Sequence, residues 1–266
     1  MAIDQKRKGE LFQELHRGQP FVIPNPWDAG SAKVLEALGF QALATTSSGF
    51  AFTLGRPDGA APLEDLVDHV AQIDAQTGLP VSVDLENGRG AEPDDAARAI
   101  ELAAGAGAVG GSIEDWDPDE GLYPIERAAA RITAACRAAR SFDFPFMVTA
   151  RAENHIRGHP DLDDTIARLQ AYERAGADVL YAPGLRGVEE IRAVCGAVAA
   201  PVNVLAYPGI TVQEIVQAGG QRISVGGALT WTAVEAMARA AKQIRDHGDF
   251  SSLAPATRIR EWLEPR

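Results

Sequence analysis

Five carboxylates and one arginine stand where short apolar runs of the chain end. Asp84 and Glu86 close PVSVDLE, Glu114 and Asp115 close GGSIED, and Arg151 and Glu153 close FPFMVTARAE. Acids gathered beside a single guanidinium suit a divalent cation together with an anionic substrate. Hard oxygen ligands favour Mg²⁺, which keeps several waters and borrows substrate oxygens. Arginine offers a carboxylate a bidentate fork. Asp84 and Glu86, two apart on a strand, would point to one face, where two like charges need a cation or a shared proton. Glu114, inside the apolar run, is expected to be buried. Arg151 by itself reads equally well as a structural ion-pair partner. Thr45, Thr46, Ser47 and Ser48, followed by Gly49, are turn residues whose hydroxyl and backbone donors could also hold an oxyanion. Asn25, Asp28 and Asn203 close further runs.

Other chemistries find no support. Neither a phosphate loop nor a dinucleotide fingerprint is present, and the five histidines (His16, His69, His155, His159, His247) lack metal-ligand spacing. Cys136 and Cys195 fall in helix-like stretches away from any run's end, which argues against a Cys/His nucleophile. Such sparse cysteine suits a reducing compartment. The 25 basic against 37 acidic residues give a net charge of −12, which disfavours a nucleic-acid partner. No apolar run approaches the roughly 20 residues of a membrane span, and the N-terminus has no signal-peptide core. The expectation is a soluble cytoplasmic protein acting on a small molecule.

The elements that must position these residues follow one rhythm. Eight apolar runs begin near Phe21, Ala42, Pro80, Gly110, Phe144, Asp178, Pro201 and Arg222, each followed by a helical stretch. Near-continuous apolar runs alternating with helices predict parallel strands covered on both faces. Helices are predicted over Asp94–Ala106, Leu162–Ala175 and Thr211–Ala218, ending on Gly107, Gly176 and Gly219 in left-handed caps. Eight such units predict an α/β fold, a (β/α)8 TIM-type barrel over residues 1–250, with a doubly wound sheet as the alternative. A C-terminal helical extension is predicted over residues 251–266. Barrel enzymes build their sites at the C-terminal ends of the strands, where the polar residues above fall.

From NPWDAGSAKVLEALGFQALATTSSG to RISVGGALTWTA, the chain resembles the isocitrate lyase/phosphoenolpyruvate mutase superfamily. LGRPDG, VSVDLENGRG, SIED and TARAEN carry the resemblance. It implies Asp84 as direct Mg²⁺ ligand, with Glu86 and Glu114 holding the ion partly through water and Mn²⁺ as a possible substitute. It implies Asp58 as an acid near metal and reacting centre, Arg151 as the grip on a substrate carboxylate, and Thr46, Ser47 and Ser48 as donors to the carboxylate or oxo group. Asn203 joins them as a candidate substrate contact, and Asp58, Glu114 and Arg151 are the candidate catalytic residues. The resemblance also implies a homo-oligomer, a dimer of dimers that exchanges terminal helices.

Departures from the superfamily pattern narrow the chemistry. Its lyases carry Lys-x-Cys-Gly-His on a loop after the fourth strand; here that place reads DWDPDEGLYPIERAAARI, without cysteine. The Asn- and Lys-bearing loop of the phosphonomutases is absent, and Ala44 stands where they have tryptophan. Glu86 replaces an aspartate. Decarboxylation needs enolate stabilisation but no dedicated acid at the leaving group. The expected function is therefore a Mg²⁺-dependent lyase cleaving a C–C bond of a small 2-oxo or 2-hydroxy dicarboxylate, such as oxaloacetate, through an enolpyruvate-type intermediate. The alternatives are P–C chemistry, as a phosphonomutase or phosphonopyruvate hydrolase, and a non-catalytic 2-oxo acid binding protein.

Overall fold

All eight apolar runs form strands in the computed structural model, which describes residues 4–253 and 259–263. In chain order the elements are α1 (Gln5–Arg17), β1 (Phe21–Ile23), α2 (Ala29–Ala37), β2 (Leu43–Ala44), α3 (Ser47–Thr53), α4 (Leu63–Asp74), β3 (Val81–Asp84) and α5 (Pro93–Gly105). They continue with β4 (Gly110–Glu114), β5 (Trp116–Asp117), β6 (Gly121–Leu122), α6 (Ile125–Ala139), β7 (Met147–Arg151), α7 (Leu162–Arg174) and β8 (Val179–Tyr181). The last are α8 (Val188–Ala197), β9 (Val202–Leu205), α9 (Val212–Gln217), β10 (Arg222–Ser224), α10 (Ala228–His247) and α11 (Ile259–Leu263).

Eight parallel strands run in the order β1-β10-β9-β8-β7-β4-β3-β2. Between the two ends of that order, the Ala44 N–H donates to Pro24 O at 3.1 Å. The Asn25 side chain spans the same seam, donating to Thr45 O at 3.1 Å and accepting from the Val225 and Gly226 N–H groups at 2.9 Å each. The result is the (β/α)8 barrel, not the doubly wound sheet. Gly107, Gly176 and Gly219 take φ of +100°, +97° and +101° just past their helices, as the predicted left-handed caps require.

Period-two alternation divides each strand between core and lumen. On β4, Gly111 faces Leu85, Ile100 and Phe146 under the helices, while Gly110 faces inward. A Cβ on Gly110 would lie 2.7 Å from Phe12 Cε1 and 3.1 Å from Ser82 Oγ, so only glycine fits. Phe12 belongs to α1, which plugs the N-terminal end of the barrel. It is strapped there by Gln5 to Ala104 O and Ala108 O, and by Lys8 to Asp74 and Thr77 O.

Two features depart from the predicted pattern. The segment after β4 holds a small antiparallel hairpin, β5–β6. Of the predicted extension, residues 254–258 and 264–266 lie outside the described residues; α11 lies against α2. Among the described residues no helix is long and apolar enough to cross a membrane.

Candidate active site

Strands β3, β4 and β7 end on Asp84, Glu114 and Arg151, and their register pairs Glu114 with Arg151 and Asp84 with Ser112. The Arg151 guanidinium joins three acidic side chains at these strand ends. Its Nη1 lies 2.7 Å from Asp84 Oδ1, and its Nη2 lies 2.9 Å from both Glu114 Oε2 and Glu153 Oε1. Nε donates to Glu153 Oε1 at 3.0 Å. Arg157 adds contacts at 3.4 Å to Glu114 and 3.2 Å to Glu153, with its guanidinium 3.5 Å above the Trp116 ring.

The electrostatics are those of crowded acids. Burial opposes ionisation of Asp84, but Arg151 and the N–H groups of Ser47 and Glu86 outweigh it and hold the carboxyl below its ordinary range. Burial, reinforced by Asp84, pushes Glu86 up to about 7 against the pull of Arg89. Glu114 is driven upward by burial, with Glu153 and Asp84 adding to the effect. Removing charges from water is costly unless they are compensated, and here the acids outnumber the charge available from Arg151.

Asp115 takes a different job from its neighbour. It faces outward, accepting from the Glu153 N–H at 2.8 Å, Arg168 Nη1 at 3.1 Å and the Tyr172 hydroxyl at 2.5 Å. That anchor fixes the β7 end on which Arg151 and Glu153 stand.

Two connected cavities open above these residues. The inner one, about 180 Å³, reaches into the barrel past Ser82, Ser112, Tyr181, Asn203 and Arg222. The outer one, about 530 Å³, is bounded by Asp58, Glu86, Arg89, Trp116 and Arg157. Ser47, Asp58 and Arg151 line both.

The first turn of α3 contributes the polar rim. Thr46 caps it, its Oγ1 accepting from the Gly49 N–H at 3.3 Å and lying 3.1 Å from Ser48 Oγ. The Ser47 N–H donates to Asp84 Oδ2 at 3.3 Å, and Thr45 Oγ1 accepts from the Asp84 N–H at 3.0 Å. Thus Thr45 and Ser47 bond Asp84, and Thr46, Ser47 and Ser48 line the same inner cavity as it does.

A sequence profile described as phosphoenolpyruvate phosphomutase matches residues 12–245. The chain belongs to the isocitrate lyase/phosphoenolpyruvate mutase superfamily. A crystal structure from Burkholderia cenocepacia J2315, provisionally described as a lyase/mutase, is 50% identical over 97% of this chain and 96% of its own, with a TM-score of 0.94. The 2-methylisocitrate lyase of Escherichia coli is 30% identical, covering 96% of this chain and 90% of that enzyme. An oxaloacetate acetylhydrolase solved with its product oxalate is 26% identical, with a TM-score of 0.87 over 98% of this chain and 95% of its own.

Against this superfamily frame, the predicted site residues divide. Asp84, Glu114 and Arg151 come together directly. Glu86 does not share a strand face with Asp84: β3 ends at Asp84, and Glu86 turns away at φ +53°. Its Oε1 lies 2.5 Å from Arg89 Nη2, and Arg89, at φ +59°, also donates to Gly59 O. Two non-glycine residues in left-handed conformation, about 1–3 kcal/mol each, thus tie the 55–60 loop to the strand end. Asp58 lies exposed on that loop, accepting from the Gly59 N–H at 3.1 Å. It borders the cavity without touching Arg151 or Glu114. Asn203 lies on the inner floor with its amide engaged by Arg222 and Ser224. Asp28 caps α2 through the Ser31 N–H at 2.6 Å.

Sequence reasoning missed Arg157, Trp116, Tyr181 and Arg222. Arg157 lies on a loop, Trp116 on the hairpin and Arg222 at the lower end of β10, whereas Tyr181 ends β8 in register with Arg151 and carries no acidic or basic signal.

As to metal, no three His, Cys, Asp or Glu side chains among the described residues close into a cage. The oxygen donors nearest the cavity, Asp84, Glu86 and Glu114, are hard ligands of the kind that divalent cations such as Mg²⁺ take singly or through water.

Proposed function

We propose that this enzyme is a divalent-metal-dependent carbon–carbon lyase for a small 2-oxo dicarboxylate, with oxaloacetate decarboxylation as the type reaction. The observation that carries the reading is Arg151, held between Asp84 and Glu114 at a cavity rimmed by the Thr46–Ser48 turn. Asp84 would hold the ion directly, with Glu86 and Glu114 acting through water. A bound Mg²⁺ would supply Lewis-acid charge to the oxygens of the oxo acid.

The chain's own residues account for the rest. Breaking the bond beside a 2-oxo group moves the electron pair toward the oxo oxygen, so donors must already face that oxygen. Arg151 provides a fixed positive charge, and the Ser47 and Ser48 hydroxyls provide hydrogen bonds. Each such donor commonly contributes about 3–4 kcal/mol to lowering the barrier. Glu114 and Glu153 hold the guanidinium in plane. The segment after β4 carries neither cysteine nor lysine, and carbon dioxide leaves without needing a proton from it. The relatives support this class: they include oxaloacetate decarboxylases and an oxaloacetate acetylhydrolase, named for a 2-oxo dicarboxylate, and a 2-methylisocitrate lyase.

The test is carbon-13 NMR of oxaloacetate incubated with the protein and Mg²⁺, with and without EDTA. Metal-dependent pyruvate above the uncatalysed rate supports the proposal. Oxalate and acetate in place of pyruvate would make the enzyme a hydrolase. No acceleration, or phosphate release from phosphonopyruvate alone, would overturn it.

A further inference from the structure

Below Arg151 the barrel holds a second arginine that faces the cavity with no acid beside it. Arg222, on β10, is 5% exposed. Its Nε donates to Asn203 Oδ1 at 2.8 Å, its Nη2 to Thr149 Oγ1 at 3.0 Å, and its Nη1 lies 3.3 Å from His16 Nε2. All three partners are neutral. His16 Nδ1 lies 2.7 Å from Phe12 O, which fixes the ring proton on Nδ1 and leaves Nε2 as an acceptor. No carboxylate pairs with Arg222 among the described residues.

The other buried arginines are differently placed. Arg151 meets three acids and Arg168 meets two. Arg131 has no acid, but three backbone carbonyls take its donors and it lines neither cavity. A guanidinium buried without counter-charge is costly, and an apolar residue would fill a barrel core more cheaply. Arg222 has five N–H donors, of which the three contacts above use three. The remaining charge and donors belong to the floor of the inner cavity, shared with Ser82, Ser224 and Tyr181.

The spacing fits one kind of occupant. Thr149 and Arg151 lie two apart on β7, on one face and about 6.6 Å apart along the strand. Because Arg222 reaches Thr149, its guanidinium sits about one layer beneath Arg151. A short extended diacid with its oxo-acid end at Arg151 would direct its far carboxylate to that floor. We propose that Arg222 is the specificity-determining residue that binds the distal carboxylate of the substrate, with Asn203 and Thr149 as the positioning residues that aim it. This rests on the reading above, in which the rim holds the 2-oxo acid end.

Calorimetric binding to the Mg²⁺-loaded protein tests it with a matched pair of probes. One is 3,3-difluorooxaloacetate, and the other is 3,3-difluoropyruvate, which lacks the distal carboxylate; oxalate serves as a control for the rim alone. The wild-type protein should bind the diacid roughly tenfold or more tighter than the monoacid, as expected of hydrogen bonds to a charged group. Arg222→Gln should erase that preference and leave oxalate affinity within about twofold, while Arg222→Lys should retain part of it. Equal wild-type affinity for the pair, with oxalate still bound, would overturn this inference alone, and that comparison needs no variant to fold. A Gln variant that weakens oxalate as much as the diacid would make Arg222 structural and overturn it too. Failure of all three probes to bind wild type would overturn the rim reading together with this one.

Discussion

Arg151 Nη1 lies 2.7 Å from Asp84 Oδ1, a contact that joins the end of β7 to the end of β3 across β4. The two residues are 67 apart in sequence, and the parallel pairing of β3, β4 and β7 brings them together. The pair divides the labour of the site. Asp84 stays ionised, and its second oxygen, Oδ2, accepts the long Ser47 N–H contact at the cavity. Arg151 remains charged between three acids.

Replacing Asp84 with alanine should therefore remove the metal without collapsing the rim, because Arg151 keeps Glu114 and Glu153. We expect Mg²⁺ or Mn²⁺ affinity to fall by about a hundredfold or more, with a melting temperature within a few degrees of wild type. Calorimetric metal titration checks this, and unchanged affinity would remove Asp84 from the metal site.

Replacing Arg151 with methionine should be costlier to the fold. Glu153 and Glu114, with side chains 1% and 4% exposed, would be left with Arg157 alone. Breaking a buried pair on one side costs about 3–5 kcal/mol, and loss of the donor should lower kcat/KM by about a hundred- to thousandfold. Urea denaturation and steady-state kinetics read the two effects separately. A variant as stable as wild type would show that Arg157 suffices for both acids.

Acid should destabilise the fold through two buried histidines. Burial, with Arg222 nearby, lowers His16 to about 3, and burial lowers His69 to about 4 against the opposing charge of Asp28. The unfolded imidazoles take their protons near 6.5, so the unfolded state binds more protons throughout the interval. Stability is then complete above pH 6.5 and is lost as pH falls toward the folded values. At pH 5 each histidine should cost about 2 kcal/mol relative to pH 8. His16→Gln should shrink the difference in unfolding free energy between pH 8 and pH 5 by about that amount. An undiminished difference in the variant would mean that His16 titrates normally.

Much of the site is legible from the sequence, and the reasons for the misses are specific. Asp84, Glu114 and Arg151 end apolar strands, so their clustering follows from the barrel once eight β-α units are counted. The glycine stops are local and were equally readable. Glu86 was misplaced because β3 ends two residues before it, and a left-handed glutamate has no sequence signal beyond the nearby Gly88. Glu114 and Asp115 look alike as neighbours, yet strand alternation sends them to opposite faces. Asn25 closes the barrel seam, a role visible only once the ends of β1 and β2 adjoin. Arg222 stands two residues before Ser224 on β10, so period two places both inward; the signal was present, but at the lower end of the strand.

Asp115 supplies a test of that division between neighbours. Asp115→Asn should leave Arg168 with Asp164 and weaken the bonds to Tyr172 and the Glu153 N–H. A loss of about 1.5–3 kcal/mol in stability is expected, with metal affinity changed less than by Asp84→Ala. A variant that lost metal as completely as Asp84→Ala would place Asp115 among the ligands.

The most direct measurement is a calorimetric titration of the wild-type protein with oxalate, in Mg²⁺ and again in EDTA. Oxalate reproduces the oxo-acid end that the rim of Arg151, Asp84 and the Thr46–Ser48 turn should hold. Binding that requires Mg²⁺ and disappears with the chelator is the predicted result. Oxalate that binds equally well in EDTA, or fails to bind in either, would contradict a metal-assisted 2-oxo acid site at the mouth of this barrel.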